Sequence, residues 1–284
     1  RNTTALQSLP KVRPAEEDYF AMAAVAEHGG TVISPVGQSP TKFITWNLNG
    51  LATRMKKGDL QERFYDQVGE LRPDLISLQE LKLPCEEGSP GVVKKGSEDA
   101  AHWEAFYAPL RDTYEAYLTL SSMRYGGQAV LVRRSVESPT VTYNMGEEPG
   151  HFASGRFMKL EFQDLIVRSV YAPFNGAGKE AHYQRRREWD SRLREEMAET
   201  GPEGKPRILL GDLNVAYKDS DLSDTPKFWK AQGDQSVAEG DRGFGGSTDN
   251  ERERFGEIMD ESGMADPFTV PLDIDTRCQW TFRG

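Results

Sequence analysis

The stretch RILLGDLNV, residues 207–215, decides the fold of this chain. Its three consecutive apolar residues, Ile208 to Leu210, predict a short buried strand. Asp212 and Asn214 follow two positions apart, and in an extended chain that spacing puts both side chains on one face. A carboxylate there could orient or deprotonate a water, and an amide could donate to an oxygen that gains charge. An ordinary Asx turn at a strand end is the alternative, and this stretch alone leaves both open.

The composition describes a globular chain with a well-charged surface. Its 284 residues suffice for one large domain or two small ones with a packed core. The formal net charge is −10 and the pI is about 5.1, which argues against a surface that attracts nucleic acid everywhere but leaves room for a local basic groove. No run approaches the ~18 apolar residues of a membrane span. Cys85 and Cys278 have no metal-binding spacing, which predicts free thiols in a reducing, intracellular compartment.

The first half of the chain alternates strands and helices. Residues 1–40 are predicted to be an N-terminal extension or linker with one short helix over 16–27, and residues 41–284 to be the domain proper. Within that domain, apolar runs predict a strand over 41–46, an amphipathic helix over 59–71 and a strand over 74–78. A strand, a helix and a strand in succession favour a parallel pair in an α/β fold.

The second half adds closely spaced strands, which favour antiparallel pairing. Strand-like runs cover 127–132, 157–162 and 165–171, and the last two are joined by a link of hairpin length. The charged, Gly-containing residues 84–100 predict a surface loop. The remaining elements are helices over 179–199 and 250–262, the second ended by Gly263, and the start of a last strand over 279–282.

Polar side chains recur where predicted strands end. Asn47, Glu80, Asp212 and Asn214 all have this position, which is where α/β folds place their sites. A solvated loop acid or a turn asparagine is the ordinary alternative for each of them. Oxygen ligands without His or Cys suit magnesium, which takes one or two carboxylates plus waters and phosphate. The set therefore suggests metal-assisted hydrolysis of a phosphate ester.

A basic run and an acidic cluster carry weaker signals. The run Arg185, Arg186 and Arg187 lies on the predicted long helix and is best interpreted as a solvated face, although it could meet phosphates. Asp219, Asp221 and Asp224 lack the twelve-residue pattern of a calcium loop, so that interpretation is rejected.

Four motifs resemble one known family. They are FITWNLNG at 43–50, LQELK at 78–82, GDLNVA at 211–216 and ERERFGE at 251–257. They look like the exonuclease III / apurinic-apyrimidinic (AP) endonuclease branch of the endonuclease/exonuclease/phosphatase superfamily, and the resemblance covers 41–284. It implies an α/β (α+β) fold: a four-layer sandwich of two mixed, mostly antiparallel β-sheets packed face to face, with helices outside.

The resemblance also implies roles for the catalytic residues. Glu80 would be the principal ligand of Mg²⁺, with Asn47 beside it, and Mn²⁺ is a possible substitute. Asp212 would orient or deprotonate the attacking water, Asn214 would hold the phosphate, and Tyr171 would contact the scissile phosphate.

Further residues match the parts of the family that contact DNA. Asn175, which follows an additional Phe174, corresponds to a catalytic asparagine of the family. Arg156 matches an arginine near the DNA backbone. Phe268 and Trp280 look like the pair that walls the pocket for a flipped-out abasic sugar.

Two departures from the family leave two interpretations. Asn49 stands where the family usually has Asp, and the closing Asp-His pair of the family has no match, since all four histidines lie upstream. The chain is predicted to be a Mg²⁺-dependent endonuclease that cleaves double-stranded DNA 5′ to abasic sites, in the nucleus or mitochondrion, with its C-terminal strands missing from this sequence. Alternatively, it is a catalytically impaired structural or binding subunit whose protein partner covers the unfinished C-terminal sheet edge. A phosphatase of small molecules or lipids is the least favoured option.

Overall fold

The computed structural model describes residues 37–146, 154–176, 180–199, 204–222 and 238–266. The predicted N-terminal helix, the start of the last strand and both predicted pocket residues, Phe268 and Trp280, lie outside these ranges.

The strands are β1 (Phe43–Asn47), β2 (Leu75–Gln79), β3 (Cys85–Glu86), β4 (Ser89–Val93), β5 (Tyr114–Thr119), β6 (Gln128–Arg133), β7 (Thr140–Thr142), β8 (Phe157–Glu161), β9 (Ile166–Tyr171) and β10 (Arg207–Asp212). The α-helices are α1 (Leu51–Lys57), α2 (Asp66–Leu71), α3 (Glu98–Tyr107), α4 (Glu180–Ala198) and α5 (Asp249–Ser262).

Eight of these strands form two four-stranded sheets of the same design. The first sheet has the order β1-β2-β6-β5, and the second has the order β10-β9-β8-β7. In each sheet the first pair is parallel and the other two pairs are antiparallel. The predicted mixed, mostly antiparallel sheets are therefore confirmed, as is the parallel pairing of the two strands that flank the first helical region.

The two sheets pack face to face with helices on their outer sides. Leu75 and Val130 of the first sheet meet Met158 and Val167 of the second in one apolar cluster. A second cluster fills the space between the first sheet and α1 to α3, and a third lies between the second sheet and the helices α4 and α5. Because both faces of the central strands are covered, β2 and β9 are buried along their whole length. The predicted four-layer sandwich is confirmed.

Hydroxyl and amide groups also join the sheets across the interior. The hydroxyl oxygens of Ser77 in β2 and Ser169 in β9 lie 2.6 Å apart. Ser169 donates to Gln128 Oε1 at 3.0 Å, and Gln79 Nε2 donates to Ser77 Oγ at 2.6 Å. Buried polar groups are tolerated when they are bonded in this way, and here the bonds fix how the two sheets face each other.

Two predicted segments differ from the structure. Residues 84–100, predicted as a surface loop, form the β3–β4 hairpin and the start of α3. Trp103 and Phe106 of α3 pack into the second apolar cluster, between the first sheet and its helices. The helix predicted over 59–71 is a π-helical turn at Gln61–Tyr65 followed by α2, and α1 precedes both. Short elements with few apolar residues give little periodicity, so their existence is decided by packing rather than by local sequence.

Helix α5 follows its sequence signals closely. Thr248 and Glu251 form a capping box at its start, and Gly263 adopts the left-handed conformation at its end. No helix among the described residues is long and apolar enough to cross a membrane.

Candidate active site

The candidate site lies where the parallel strands of both sheets end. Asn47 is the last residue of β1, and Glu80 directly follows β2 in the same sheet. Tyr171 and Asp212 are the last residues of β9 and β10 in the other sheet. Since the parallel neighbours end at one edge of each sheet, the fold brings polar residues from two sheets to one end of the sandwich.

The side chain of Asn47 joins the two carboxylates of the site. Its Nδ2 donates to Glu80 Oε1 at 2.8 Å and to Asp212 Oδ2 at 2.7 Å. Its Oδ1 accepts from the backbone N–H of Asn49 at 2.9 Å, which fixes the orientation of the amide. Three of the residues predicted from the sequence therefore lie within hydrogen-bond reach of one another, although they come from different sheets.

Glu80 is held in an ionised state by its neighbours. Its backbone has a φ of 52°, a left-handed conformation that is unusual for a residue with a side chain. Burial opposes its ionisation, but hydrogen bonds from Lys82, Asn47 and Tyr171 and the charge of Lys82 outweigh that cost and lower the pKa of Glu80. Lys82 Nζ lies 2.8 Å from Glu80 Oε2 and donates to Asn49 Oδ1 at 2.6 Å. Asn49 thus contacts this ammonium at the position where Asp was expected.

Asp212 forms the Asx turn that the sequence allowed and also contributes a carboxylate oxygen to the site. The backbone N–H of Asn214 donates to Asp212 Oδ1 at 3.0 Å, which is an Asx turn, while Oδ2 accepts from Asn47. Burial raises the pKa of Asp212, against these two hydrogen bonds. Gly211 has a φ of 129°, and a Cβ there would lie 2.0 Å from Val170 O, so only glycine lets the strand end in this way.

Tyr171 is buried and acts as a hydrogen-bond donor to Glu80. Burial raises the pKa of its phenol, the Glu80 charge raises it further, and Arg156 opposes both effects. The Arg156 guanidinium lies 4.3 Å from the centre of the Tyr171 ring and 5.0 Å from that of Tyr125. It donates to Tyr171 O at 2.9 Å and to the Tyr125 hydroxyl at 2.6 Å, and only 3% of Arg156 is exposed. Arg156 therefore holds Tyr171 in place from the protein side.

The two remaining asparagines of the site differ in their partners. Asn214, with a φ of 45°, donates from Nδ2 to Ala172 O at 2.8 Å and so links the loop after β10 to the chain after β9. Asn175 is 1% exposed, and neither atom of its amide has a hydrogen-bond partner among the described residues. A buried amide without partners destabilises the fold, which makes Asn175 a candidate for a functional rather than a structural role.

Arg186 organises the two loops behind the site, and sequence reasoning missed it. This side chain is 2% exposed. Its Nη1 donates to Pro173 O and to Asn214 O, both at 3.0 Å, and its Nη2 donates to Leu213 O at 3.1 Å. Its Nε donates to Asp190 Oδ1 at 2.8 Å. The interpretation of the arginine run as a solvated face is therefore wrong for its middle member.

The position of Arg186 was readable from helical spacing. The buried residues Tyr183, Arg186, Asp190, Leu193 and Met197 follow each other at intervals of three or four along α4. Arg185 is exposed, as expected for a residue on the other side of the helix. The inward spacing, rather than the density of charge, was the informative signal.

The ligands at the site fit a hard divalent cation such as magnesium. Among the described residues, no three His, Cys, Asp or Glu side chains group as a metal site. Glu80 and Asp212 supply two carboxylates, and Asn47 supplies an amide whose oxygen is bonded to the backbone N–H of Asn49. Magnesium usually binds through one or two carboxylates and completes its shell with waters and phosphate oxygens, so this smaller set is sufficient.

Comparisons of the sequence with known proteins find one family. The model of the Endonuclease/Exonuclease/phosphatase family matches residues 44–273. A "DNA-(apurinic or apyrimidinic site) endonuclease" of Arabidopsis thaliana is 32% identical over 244 residues, which are 81% of this chain and 66% of that protein. A protein of the same description from Plasmodium berghei is 29% identical, and the match covers 80% of this chain but 47% of that protein. An "Exodeoxyribonuclease" of Bacillus subtilis is 32% identical over 84% of this chain and 79% of its own length.

Solved structures share the fold. An AP endonuclease from Archaeoglobus fulgidus superimposes with a TM-score of 0.54 at 21% identity, covering 77% of this chain and 70% of that one. A 3′-5′ exonuclease (NExo) from Neisseria meningitidis gives a TM-score of 0.55 at 21% identity, covering 78% and 71%.

Proposed function

This chain belongs to the Endonuclease/Exonuclease/phosphatase family, and from that premise we propose that it is a metal-dependent nuclease that cleaves double-stranded DNA 5′ to abasic sites. The observation that carries the proposal is the bridge of Asn47 to Glu80 and Asp212, because it joins a carboxylate from each sheet at one place. The names of the Arabidopsis and Bacillus relatives support DNA as the substrate class.

Glu80 and Asn47 are the residues that would hold the metal ion. The hydrogen bonds that lower the pKa of Glu80 keep this carboxylate charged, as a ligand of Mg²⁺ or Mn²⁺ must be. A bound divalent ion would stabilise the negative charge that develops on the phosphate. Asn47 donates to both carboxylates and leaves its oxygen on the opposite side, so the amide would have to flip to present that oxygen to a metal ion.

Asp212 is the residue suited to the attacking water. The pKa of Asp212 is raised, whereas that of Glu80 is lowered. This difference suits Asp212 to accept a proton from the water and Glu80 to remain charged as a metal ligand. The Asx turn with Asn214 holds the carboxylate, so that one face of it stays directed at the site.

Tyr171 and the two asparagines would contact the phosphate. Because the phenol of Tyr171 has a raised pKa, it keeps its proton and can donate a hydrogen bond to a phosphate oxygen. Asn175, four residues after Tyr171, carries a buried amide without hydrogen-bond partners among the described residues, and Asn214 donates to the carbonyl of Ala172, the residue after Tyr171. Arg156 would act through Tyr171 and Tyr125, since its guanidinium already donates to the carbonyl of the first and the hydroxyl of the second.

A catalytically impaired DNA-binding subunit is the second candidate function. The ammonium of Lys82, bonded to both Glu80 and Asn49, favours it, because this cation already neutralises the carboxylate that would bind metal. The family's usual Asp in place of Asn49 would add a negative charge beside that ammonium.

An incision assay separates the two candidates. The substrate is a 5′-labelled duplex with one tetrahydrofuran abasic analogue, incubated with Mg²⁺, Mn²⁺ or EDTA. We expect a single nick 5′ to the analogue with either metal and none in EDTA. A duplex with a recessed 3′ end, run in parallel, reports exonuclease action. Binding of the duplex without cleavage under either metal would support the impaired subunit, and cleavage at an equal rate in EDTA would contradict the metal role.

A further inference from the structure

An exposed phenylalanine, in contact with a half-buried one, lies beside the candidate site. Phe174 and Phe244 have ring centres 6.1 Å apart and an angle of 59° between their planes. Phe174 is 39% exposed, which is unusual for so large an apolar side chain. Three of the four large exposed apolar residues in the described part of the chain, Met123, Tyr125 and Phe174, lie on loops that contact site residues. Exposed apolar side chains at the rim of a polar site are candidates for contact with a ligand.

The ring of Phe174 is held in place by the backbone around it. A Cβ at Gly176 would lie 2.4 Å from Cε1 of the ring, and one at Gly245 would lie 3.0 Å from Cε2. Both backbones therefore pack closely against the ring edge; a side chain at Gly176 would displace the ring, and one at Gly245 would crowd it. Pro173 O, the carbonyl before Phe174, is bonded by the buried Arg186. The ring is thus a preformed surface and not a loose side chain on a loop.

The same contacts tie the ring to the reactive groups. Arg186 also donates to Asn214 O, so one guanidinium fixes the chain that carries Phe174 and the chain that follows Asp212. Phe174 is three residues after Tyr171, and three residues span at most about 11 Å. One DNA strand advances about 3.4 Å per nucleotide. Phe174 therefore lies within the length of about three nucleotides of a phosphate at Tyr171, a range that includes the nucleotide next to an abasic position.

We propose that Phe174, supported by Phe244, is a stacking platform for a nucleobase that neighbours the scissile phosphate. This inference rests on the proposed nuclease function and adds a subsite to it. Bases of any sequence stack on an aromatic face, and loss of one such contact lowers affinity about tenfold. The platform would hold the strand beside an abasic position, where the missing base has removed one stacking partner from the duplex.

Binding of matched oligonucleotides tests the platform. Fluorescence anisotropy in EDTA measures the dissociation constant of the 284-residue chain for a duplex with one abasic analogue. Two further duplexes carry a second analogue in place of the neighbouring nucleotide on the 5′ or the 3′ side. We expect the wild type to bind one of these about tenfold more weakly than the first duplex, and Phe174→Ala to bind all three with nearly equal, weakened affinity. Phe174→Trp should keep the preference, because it keeps an aromatic face.

Val92→Ala is the matched control, since Val92 is also an exposed apolar residue but lies on the β3–β4 hairpin. It should leave all three dissociation constants unchanged. Two results would overturn the platform. One is equal affinity of the wild type for the three duplexes. The other is a Phe174→Ala variant that binds all three duplexes more weakly but still shows the tenfold preference of the wild type. Absence of binding to any duplex would overturn it too. Failure of the nuclease proposal is seen separately, as absence of incision with metal. The dissociation constants measured in EDTA test the platform whether or not the protein cleaves DNA.

Discussion

At the scale of single residues, two asparagines of the site differ in whether their side chains are hydrogen-bonded within the protein. The amide of Asn214 has a partner within the protein, Ala172 O, whereas the amide of Asn175 has none among the described residues. A hydrogen bond contributes about 1 kcal/mol to stability, and a buried unpaired amide lowers stability by a similar amount or more. Substitution of the two residues by alanine should therefore have different effects on the stability of the protein but similar effects on its activity.

We expect Asn214→Ala to lower the free energy of unfolding by about 1 kcal/mol, because Ala172 O loses its donor. Asn175→Ala should leave that free energy unchanged or raise it, because it removes an unpaired buried amide. Both substitutions should reduce incision. Urea denaturation and the incision rate measure the two quantities. An equal loss of stability in the two variants would show that Asn175 is bonded into the fold after all.

At the scale of elements, α4 shows how one helix positions two loops. Arg186 reaches from its buried side to the carbonyls of Pro173, Leu213 and Asn214, which lie on the loops after β9 and β10. A guanidinium suits this place because its planar fork carries five donors in a fixed geometry. Lysine has a single ammonium group and cannot reach the same set of acceptors.

We predict that Arg186→Lys lowers the free energy of unfolding by about 3 kcal/mol and reduces incision, because it leaves buried acceptors and Asp190 without their donor. Arg185→Lys is the matched control from the same run, and as an exposed position it should change stability by less than about 0.5 kcal/mol. Urea denaturation of both variants gives the comparison. If Arg186→Lys behaved like Arg185→Lys, the guanidinium would not be what holds the two loops.

The elements also show what local sequence determines. Apolar residues located β2, β6, β8 and β9 to within about two residues. The strands β2 and β6 are covered on both faces and contain nearly continuous apolar runs, whereas polar residues interrupt the runs of β8 and β9. The β3–β4 hairpin was missed, since Glu86 and the polar residues around it give no alternation. The hairpin is also held by backbone bonds to Leu120 and Ser121, which are distant in sequence. The start of α1 was missed for a related reason, as its seven residues include only Leu51, Ala52 and Met55 as apolar positions.

At the scale of the whole molecule, the site is an outcome of how two sheets face each other. The sequence indicated that Asn47, Glu80 and Asp212 end strands, and the family resemblance placed them in one site. The strand–helix–strand order favoured the pairing of β1 with β2, but nothing in the spacing showed that β10 belongs to the other sheet. That arrangement depends on the apolar cluster between the sheets and on contacts such as Ser77 with Ser169, which join residues 92 positions apart.

The central claim is that Glu80 and Asp212, delivered by different sheets, work as one catalytic unit. A double-mutant cycle of Glu80→Gln and Asp212→Asn, read as the incision rate with Mg²⁺, tests it most directly. Asp164→Asn, at the far end of the second sheet and exposed, is the control and should keep full activity. We predict that each single variant cleaves about 10³-fold more slowly than the wild type. The double variant should be only slightly slower than the less active single variant, because the effects of residues that act as one unit are not additive. Losses that multiply in the double variant, or a single variant with full activity, would contradict the claim.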